Sequence, residues 1–279
     1  MINSYKRVLT IQDISCVGQC SLTVALPVIS ACGVETCVLP SAVLSTHTGG
    51  FKGYTFRDLT GDMPAIQKHW QKEGIAFDAI YSGYLGSAEQ IAYVADIMKT
   101  MGRPGAVNIA DPAMADNGKL YPGFDQPFVE AMKGLCAAAD IVVPNITEAC
   151  FLTDTAYRET YDEAYIAALC KNLAALGAKT VVLTGVGYAP EETGVVVFEN
   201  ETLTHYRHRR LPKGSHGTGD IFASAFVGAL MRGKTKFNAA RIAADYTVRC
   251  IEETQGDETH WYGAKFEPVL PELIAALAK

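Results

Sequence analysis

Short runs of apolar residues alternate along this chain with longer segments in which apolar residues recur at helical spacing. The short runs are typical of buried strands, and the longer segments are typical of amphipathic helices. The predicted strands are residues 8–11, 34–39, 79–81, 106–109, 141–143 and 181–183. The predicted helices between them are residues 21–32, 63–73, 88–101 and 163–176. This order predicts an α/β fold of three layers (α/β/α), with a central, mostly parallel sheet and helices on both of its faces.

The last third of the chain adds a hairpin and further helices. Residues 194–198 and 203–206 flank Glu199, Asn200 and Glu201, a pattern that predicts two antiparallel strands joined by a tight turn. Helices are predicted from Gly217 to the C-terminus. Because no linker, repeat or low-complexity segment interrupts the 279 residues, we expect a single domain over residues 1–279.

Composition narrows the function classes. The formal net charge is −6, which argues against a nucleic-acid or membrane-surface role. No run of apolar residues is long enough to span a membrane, and the N-terminus lacks the apolar stretch of a signal peptide. The eight cysteines contain no C-x-x-C pair, so we expect reduced, mostly buried thiols and a cytoplasmic protein.

The strongest chemical signal is the run His-Gly-Thr-Gly-Asp at residues 216–220, which precedes the apolar segment 221–231. A glycine-rich turn that opens a helix directs free backbone N–H groups and the positive end of the helix dipole at one point, which attracts phosphate. Since a carboxylate repels phosphate, Asp220 is suited to another task, taking a proton from an attacking hydroxyl. The same run also fits an ordinary helix start, with Thr218 as its N-cap.

Polar or glycine residues follow every predicted strand of the parallel sheet. Ligands of open α/β sheets bind beyond the carboxyl ends of the strands, so these residues are expected to meet at one edge. The segments are 12–13, 45–50, 82–84, 111–112, 144–148 and 184–185.

Two other glycine motifs match phosphate-binding patterns without the context that those motifs need. Residues 228–235 fit the P-loop, but they lie at the end of a predicted helix, where Gly233 is placed as a C-cap residue. Gly185 and Gly187 start a dinucleotide-type motif whose third glycine is replaced by Pro190. We therefore assign neither function to them.

The run at 216–220, together with Asn-Ile-Thr-Glu at 145–148 and Asp-Pro-Ala-Met at 111–114, resembles the ribokinase-like superfamily of small-molecule kinases. Within that superfamily, Thr-His-Thr at 46–48 and Ser-Gly-Tyr-Leu-Gly-Ser at 82–87 resemble the pyridoxal kinases. The similarity extends from Gln12 to the helices beyond Asp220.

This resemblance implies ATP-dependent phosphorylation of the 5′-hydroxymethyl group of pyridoxal, pyridoxamine or pyridoxine. It implies that Asp220 is the base and that Gly217, Thr218 and Gly219 surround the transferring phosphoryl group. It further implies Mg²⁺, a homodimer and a small-molecule substrate, and it leaves a monovalent cation such as K⁺ open.

The resemblance also assigns the binding residues. Those expected along the nucleotide and its phosphates are Asp111, Asn145, Glu148, Thr184 and Gly185. Those expected to organise Mg²⁺, directly or through water, are Asp111, Asp116 and Glu148. Those expected to face the pyridine ring are Asp13, His47, Thr48 and Tyr84.

Each of these positions has an ordinary structural explanation as well. Asn145 and Glu148 fit a helix cap with a nearby acid, Asp111 fits the start of a turn, and Tyr84 fits a core aromatic. His47 fits a structural hydrogen-bond donor equally well. The basic stretch 205–210 with Lys213 fits either a solvated strand or a flap whose cations approach the ATP phosphates.

The substrate is the least determined part of the prediction. Asp13 stands where pyridoxal kinases often have serine, which alters what the ring meets and could favour the amine or alcohol vitamers, or a related pyrimidine. A hydroxymethylpyrimidine kinase of the same superfamily is therefore the closest alternative. A catalytically silent vitamer-binding protein on the same scaffold is the alternative from another class.

Overall fold

The computed structural model describes residues 5–211 and 215–278. Its strands are β1 (Arg7–Ser15), β2 (Glu35–Leu44), β3 (Phe56–Asp58), β4 (Phe77–Ser82), β5 (Gly102–Ala110), β6 (Ala115–Asp116), β7 (Lys119–Leu120), β8 (Ile141–Val142), β9 (Thr180–Thr184), β10 (Glu192–Glu199) and β11 (Thr202–Arg209). Its α-helices are α1 (Leu22–Ala31), α2 (Met63–Lys72), α3 (Ala88–Thr100), α4 (Gln126–Ala138), α5 (Ile146–Leu152), α6 (Glu163–Ala175), α7 (Thr218–Met231), α8 (Lys236–Thr254) and α9 (Leu270–Ala278).

Within the described residues, nine strands form one sheet in the order β11-β10-β9-β8-β5-β4-β1-β2-β3. The six strands from β9 to β2 in this order run parallel to their neighbours. The hairpin β10–β11 pairs antiparallel with one edge, and β3 pairs antiparallel with the other. The predicted α/β fold with a mostly parallel sheet is confirmed.

Apolar residues are buried on both faces of this sheet. One face packs against α2 to α6, through buried residues such as Ile97, Met132 and Leu169. The other face packs against α1, α7, α8 and α9, through residues such as Val28 and Phe226. The three-layer arrangement is therefore confirmed, whereas the division into a single domain stays a prediction.

Several strands are longer than the apolar runs that predicted them. β1 continues to Ser15, and its pairing with β2 is irregular between Gln12 and Ile14. Asp13 therefore lies inside the strand and not after it. The predicted hairpin is confirmed, and Asn200 and Glu201 occupy its tight turn with φ of 49° and 58°.

The P-loop-like segment is a helix end, as expected. Residues 221–231 belong to α7, Arg232 is the C-cap residue, and Gly233 follows with a φ of 82°. Five of the eight cysteines are buried and Cys16 is exposed, which agrees with the expected thiols. In the part of the chain that the structure describes, no helix is long and apolar enough to cross a membrane.

Candidate functional site

The start of α7 is built around a glycine that no other residue could replace without strain. Gly217 is the N-cap residue and has a φ of 77°. A Cβ at this position would overlap the backbone carbonyl of Gln19. Thr218 is the first helical residue, so its alternative assignment as the N-cap is wrong. No side chain of residues 5–211 or 215–278 caps this helix.

The first backbone amides of α7 remain open. The first helical hydrogen bond of this turn joins the Ile221 N–H to the Gly217 carbonyl at 2.9 Å. Among the described residues, the N–H groups of Thr218, Gly219 and Asp220 have no hydrogen-bond acceptor from the protein. A Cβ built at Gly219 would meet no heavy atom of its described neighbours within 4 Å. The helix start therefore combines free donors, the positive dipole end and open space, which is what an anion requires.

Asp220 lies half-buried in the first turn of α7. Burial raises the pKa of its carboxyl to about 7, while a hydrogen bond from the Ser21 backbone lowers it and the charge of Asp13 raises it. A carboxylate with a pKa near neutrality is well matched to accepting a proton at physiological pH. This geometry allows Asp220 to act as a base, although its role stays a prediction.

Asp13 is a second carboxylate close to Asp220. Its side chain is only 4% exposed and lies at the irregular point of β1. The Ser15 hydroxyl donates a hydrogen bond of 2.9 Å to Asp13 Oδ2. Burial raises the pKa of Asp13, and hydrogen bonds from Ser21 and Ser15 lower it.

The other predicted substrate residues differ in how free their polar groups are to contact a ligand. Both ring nitrogens of the buried His47 are engaged by backbone, with Nε2 2.6 Å from the Tyr262 carbonyl and Nδ1 accepting from the Gly49 N–H at 3.0 Å. This arrangement supports the structural explanation for His47. Thr48 is exposed. Tyr84 is partly buried, and burial together with the charge of Asp13 raises its pKa to about 12.

Asp111 and Glu148 are two buried carboxyl groups. Asp111 directly follows β5, and Glu148 lies in the first turn of α5. Asp111 is 8% and Glu148 is 3% exposed. Burial raises the pKa of Asp111 well above its usual range, and the charges of Glu148 and Asp220 raise it further. Burial also raises the pKa of Glu148 to about 8, against hydrogen bonds from backbone amides that lower it. No Lys, Arg or His among the described residues forms a salt bridge with either group.

Asn145 and Glu148 make the capping box at the start of α5. Asn145 Oδ1 accepts from the Glu148 N–H at 2.9 Å, and Glu148 Oε2 accepts from the Asn145 N–H at 2.8 Å. The Asn145 side-chain amide also donates to the Ala115 carbonyl at 2.8 Å. The explanation of Asn145 and Glu148 as a helix cap is therefore confirmed. A contact of either residue with phosphate would be a second role.

The two predicted nucleotide residues Thr184 and Gly185 adjoin this capping box. Thr184 bridges to Asn145, and its N–H donates to the Pro144 carbonyl at 2.9 Å. Gly185 is exposed, has a φ of 78°, and has open space where a Cβ would lie. An exposed glycine next to the capping box leaves room for a ligand to approach the backbone closely.

Two carboxylates of the predicted magnesium set suit a divalent cation. Asp111 and Glu148 repel one another in a buried place, and a cation between them would offset that repulsion. Asp116 is exposed and accepts two hydrogen bonds from Asn117, while its charge still raises the pKa of Glu148. Within residues 5–211 and 215–278, no three His, Cys, Asp or Glu side chains are grouped to hold a metal. Mg²⁺ here would need water and phosphate oxygens as further ligands, which is its usual preference.

The structure adds residues that the sequence did not single out. Ser21 lowers the pKa of both Asp13 and Asp220, and its backbone adopts a φ of 54°. Gln19 packs against Gly217 and Gly263, and its side-chain amide donates to Glu267 at 2.9 Å. These residues lie in a loop without periodicity, so only the position of the loop after β1 could have indicated them.

The basic stretch is largely neutralised by acids of the same protein. Arg207 forms ion pairs with Glu163 and Glu192, and Arg209 pairs with Glu252. These contacts support the interpretation as a solvated strand for β11. Lys213, which also belongs to the predicted flap, lies outside the described residues.

Comparison with known proteins shows the family of this chain. The family model described as phosphomethylpyrimidine kinase matches residues 24–265. A Bacteroides thetaiotaomicron VPI-5482 protein whose structure carries the same family name is 36% identical, with a TM-score of 0.93 over 98% of this chain and 95% of that one. A second crystal form of it, with pyridoxal, gives a TM-score of 0.91 over 97% and 96% of the two chains.

The similar proteins include a pyridoxal kinase and a hydroxymethylpyrimidine/phosphomethylpyrimidine kinase. Pyridoxal kinase PdxY of Paraburkholderia xenovorans (strain LB400) is 30% identical over 97% of this chain and 93% of its own. Hydroxymethylpyrimidine/phosphomethylpyrimidine kinase of Haemophilus influenzae is 27% identical over 93% and 98%. The chain belongs to the phosphomethylpyrimidine kinase family, and its resemblance to the pyridoxal kinases of the ribokinase-like superfamily is confirmed. It is a kinase that phosphorylates an alcohol group.

Proposed function

We propose that this member of the family is a vitamin B6 kinase, which transfers the γ-phosphoryl group of ATP to the 5′-hydroxymethyl group of pyridoxal, pyridoxamine or pyridoxine. The observation that carries the proposal is the start of α7, where the amides of Thr218 and Gly219, which have no acceptor in the part of the chain that the structure describes, adjoin the carboxyl group of Asp220. Phosphoryl transfer needs positioning and charge neutralisation more than covalent help, and this helix start supplies both.

In the proposed reaction Asp220 accepts the proton of the substrate hydroxyl. The hydroxyl oxygen forms a bond to the γ-phosphorus of ATP, the bond from that phosphorus to the bridging oxygen breaks, and ADP leaves. The amides of Thr218 and Gly219 donate hydrogen bonds to the phosphoryl oxygens as charge spreads over them. Gly219 leaves the room in which those oxygens approach the backbone.

Asp111 and Glu148, with Asp116 nearby, would hold Mg²⁺, which neutralises phosphate charge when bound. Asn145, Thr184 and Gly185 would lie along the nucleotide. The exposed backbone at Gly185 and its bridge-paired neighbour Thr184 support this placement. Asp13, Thr48 and Tyr84 would face the ring, with His47 shaping that wall through its backbone hydrogen bonds.

The choice of a B6 vitamer draws on two neighbours of this chain. One is the Bacteroides thetaiotaomicron protein with pyridoxal in its crystal, and the other is the pyridoxal kinase of Paraburkholderia xenovorans. A hydroxymethylpyrimidine kinase is the second candidate, because the Haemophilus influenzae relative carries that activity in its name and the matching family model is named for phosphomethylpyrimidine kinase. The homodimer, the cytoplasmic location and a K⁺ requirement stay predictions.

The test is release of ADP from Mg-ATP with pyridoxal, pyridoxamine, pyridoxine and hydroxymethylpyrimidine, each offered separately. We expect turnover with at least one B6 vitamer and a higher kcat/KM for it than for the pyrimidine. A preference for the pyrimidine would support the second candidate. Absence of turnover with all four alcohols, combined with binding of a vitamer, would overturn the kinase in favour of a silent binding protein.

A further inference from the structure

Gln90 is a buried side chain that joins separate segments of the chain. It lies in the first turn of α3 and is 1% exposed. Its Oε1 accepts a hydrogen bond of 2.7 Å from the Gly86 N–H, and its Nε2 donates to the Ser41 carbonyl at 3.0 Å. Nε2 also lies 3.1 Å from Asp58 Oδ1 and 2.8 Å from Thr60 Oγ1. One side-chain amide therefore connects α3 with the loop after β4, with β2 and with the end of β3.

These contacts go beyond the ordinary capping of α3. Ser87 already caps this helix, because its hydroxyl accepts a hydrogen bond of 3.2 Å from the Gln90 N–H. In a capping box, the side chain of the third helical residue returns to the N–H of the cap residue itself. Here the side chain bonds to the residue before the cap, Gly86, and donates on its other side to the strands. Its hydrogen bonds therefore hold other segments against the helix.

Only one orientation of the Gln90 amide satisfies its partners. The Gly86 N–H is a donor and needs the amide oxygen. The Ser41 carbonyl and the Asp58 carboxylate are acceptors and need the amide nitrogen. A side chain of similar volume without polar atoms would remove the acceptor of the Gly86 N–H, and a buried donor that loses its acceptor is costly. Gln90 is therefore suited to fix these segments at a set distance from one another.

The loop that contains Gly86 follows β4 and also carries Tyr84. At the beginning of this loop, the Gly83 N–H donates to the Ile11 carbonyl of β1 at 3.2 Å. A Cβ at Gly83 would overlap the side chain of Gln12, so the loop packs closely against β1. The loop is thus held to β1 at one end and to α3, through Gly86, at the other.

The strands β2 and β3 form a hairpin whose loop, residues 45–55, reaches the start of α7. This loop carries His47 and Thr48. The ring centroid of His47 lies 5.2 Å from that of His216, the residue directly before the glycine turn of α7. Gln90 bonds to the base of the same hairpin, so it links the hairpin to the loop after β4.

We propose that Gln90 is a positioning residue of the substrate site, which holds loop 83–87 and the β2–β3 hairpin in the relative geometry that the substrate ring requires. The inference rests on the proposed function, in which Tyr84 and Thr48 face the ring. The two segments follow different strands, and loops are the more mobile parts of a fold. A fixed link between them lowers the ordering cost that substrate binding would otherwise carry.

The test compares wild type with Gln90→Leu, which keeps a similar volume and removes the acceptor and the donors. We expect the KM of the preferred B6 vitamer to rise about 10-fold, because binding must then order both segments. We expect kcat to change by less than about threefold and the KM for ATP to stay near that of wild type, because the lost interaction is one of uniform binding. Steady-state rates with each substrate varied in turn measure these quantities, and thermal unfolding shows that the variant is folded.

Gln67→Leu is the matched control. Gln67 is another buried glutamine, 7% exposed, whose Nε2 donates to Asp96 Oδ2 at 2.6 Å and to Thr100 Oγ1 at 3.1 Å. These partners lie in the second half of α3, away from its first turn. We expect this variant to lose stability as Gln90→Leu does and to keep the KM of the vitamer. A purely structural role of Gln90 predicts instead that neither variant changes that KM.

A folded Gln90→Leu protein that keeps the vitamer KM would overturn the proposal, and so would an equal rise of KM in Gln67→Leu. If Gln90→Leu does not fold, Gln90→Asn provides the comparison. Its amide is one methylene too short to reach Gly86 and Ser41 together, so the same rise of KM is expected and an unchanged KM overturns the proposal.

The two proposals fail in different ways. If wild type turns over none of the vitamers, the proposed function fails. If wild type turns over a vitamer and the folded Gln90 variants keep its KM, the proposed function stands and only the role of Gln90 is wrong.

Discussion

Two helices begin close to the same buried carboxyl group, Asp111, and they begin in opposite ways. The charges of Glu148 in α5 and Asp220 in α7 both raise the pKa of Asp111. α5 closes its own N-terminus with the reciprocal capping box of Asn145 and Glu148. α7 begins at Gly217 with no side-chain cap and with its first amides free among the described residues.

The difference shows how a fold separates stability from function within one site. A capped helix start contributes to stability, because its orphan N–H groups are satisfied. An open start forgoes that contribution and keeps its donors for a ligand. We infer that α5 holds the phosphate-facing carboxylates in place, while α7 contacts the phosphoryl group itself. Substitutions in the two helix starts should therefore affect different quantities.

The largest expected effect comes from Asp220→Asn in the open helix. Turnover should fall by roughly 10²–10⁴, as expected when a general base is lost. The affinity for ATP should remain near that of wild type, because the amides of α7 are unchanged. Steady-state rates and nucleotide titration measure the two quantities, and near-normal turnover would show that Asp220 is not the base.

Alanine substitutions at the two glycines of the α7 start should separate effects on stability from effects on turnover. Gly219→Ala adds a Cβ that has no heavy atom of the described residues within 4 Å, and alanine favours a helix over glycine, so stability should rise by up to about 1 kcal/mol. Turnover should nevertheless fall by roughly 10²-fold, because the methyl group displaces the phosphoryl group from the amides. Thermal unfolding and kcat measure the two effects.

Gly217→Ala is the contrasting variant. Its Cβ would overlap the Gln19 carbonyl and its φ of 77° disfavours alanine, so the folded state itself should be destabilised. Unchanged kinetics in a well-folded Gly219→Ala protein would contradict the assignment of these amides to phosphate.

A smaller effect is expected at the closed start. Asn145→Ala removes the cap of α5 and should reduce the free energy of unfolding by about 0.5–2 kcal/mol. Thr218→Ala in α7 removes no cap and should change stability by less than about 0.5 kcal/mol. Denaturant unfolding of both variants provides the comparison. Equal losses would mean that Thr218 caps its helix after all.

The smallest effect is a shift of pH dependence. Asp220 must be ionised to accept a proton, and its pKa is raised from 3.8 to about 7, so kcat/KM should fall as pH drops below about 7. Because the pKa of Asp220 is higher in the folded than in the unfolded chain, its contribution to the free energy of unfolding should fall as pH rises from about 4 to about 7. Asp13→Asn removes a charge that raises this pKa, and should move the acidic limb to lower pH. A limb that is flat to pH 5 in wild type would contradict the role of burial.

The fold could be predicted from the sequence because its strands are apolar runs of ordinary length. Buried strands of a parallel sheet carry this pattern without alternation, and helices such as α3 carry their own caps in the sequence. The edge strand β3 was missed, since Phe56–Asp58 is exposed and has no apolar run. The hairpin that carries Asp116 was missed because β6 and β7 have two residues each.

The site could be predicted only where a local motif carried its chemistry. The turn at Gly217 and the acid Asp220 are adjacent in sequence, so their geometry follows from one helix start. The link from Ser21 to Asp13 and Asp220 joins β1, α1 and α7, and no spacing records it. The engagement of both His47 nitrogens by backbone depends on Tyr262, which lies 215 residues further along the chain.

The most direct test is a crystal structure of the protein with ADP, Mg²⁺, a B6 vitamer and aluminium fluoride, which imitates the transferring phosphoryl group. We expect the fluorine atoms, which stand in for the phosphoryl oxygens, to lie about 3 Å from the backbone amide nitrogens at the start of α7. We expect the carboxylate of Asp220 to lie at the substrate hydroxyl. Fluoride bound away from residues 217–219, or a hydroxyl that faces another group, would contradict the account.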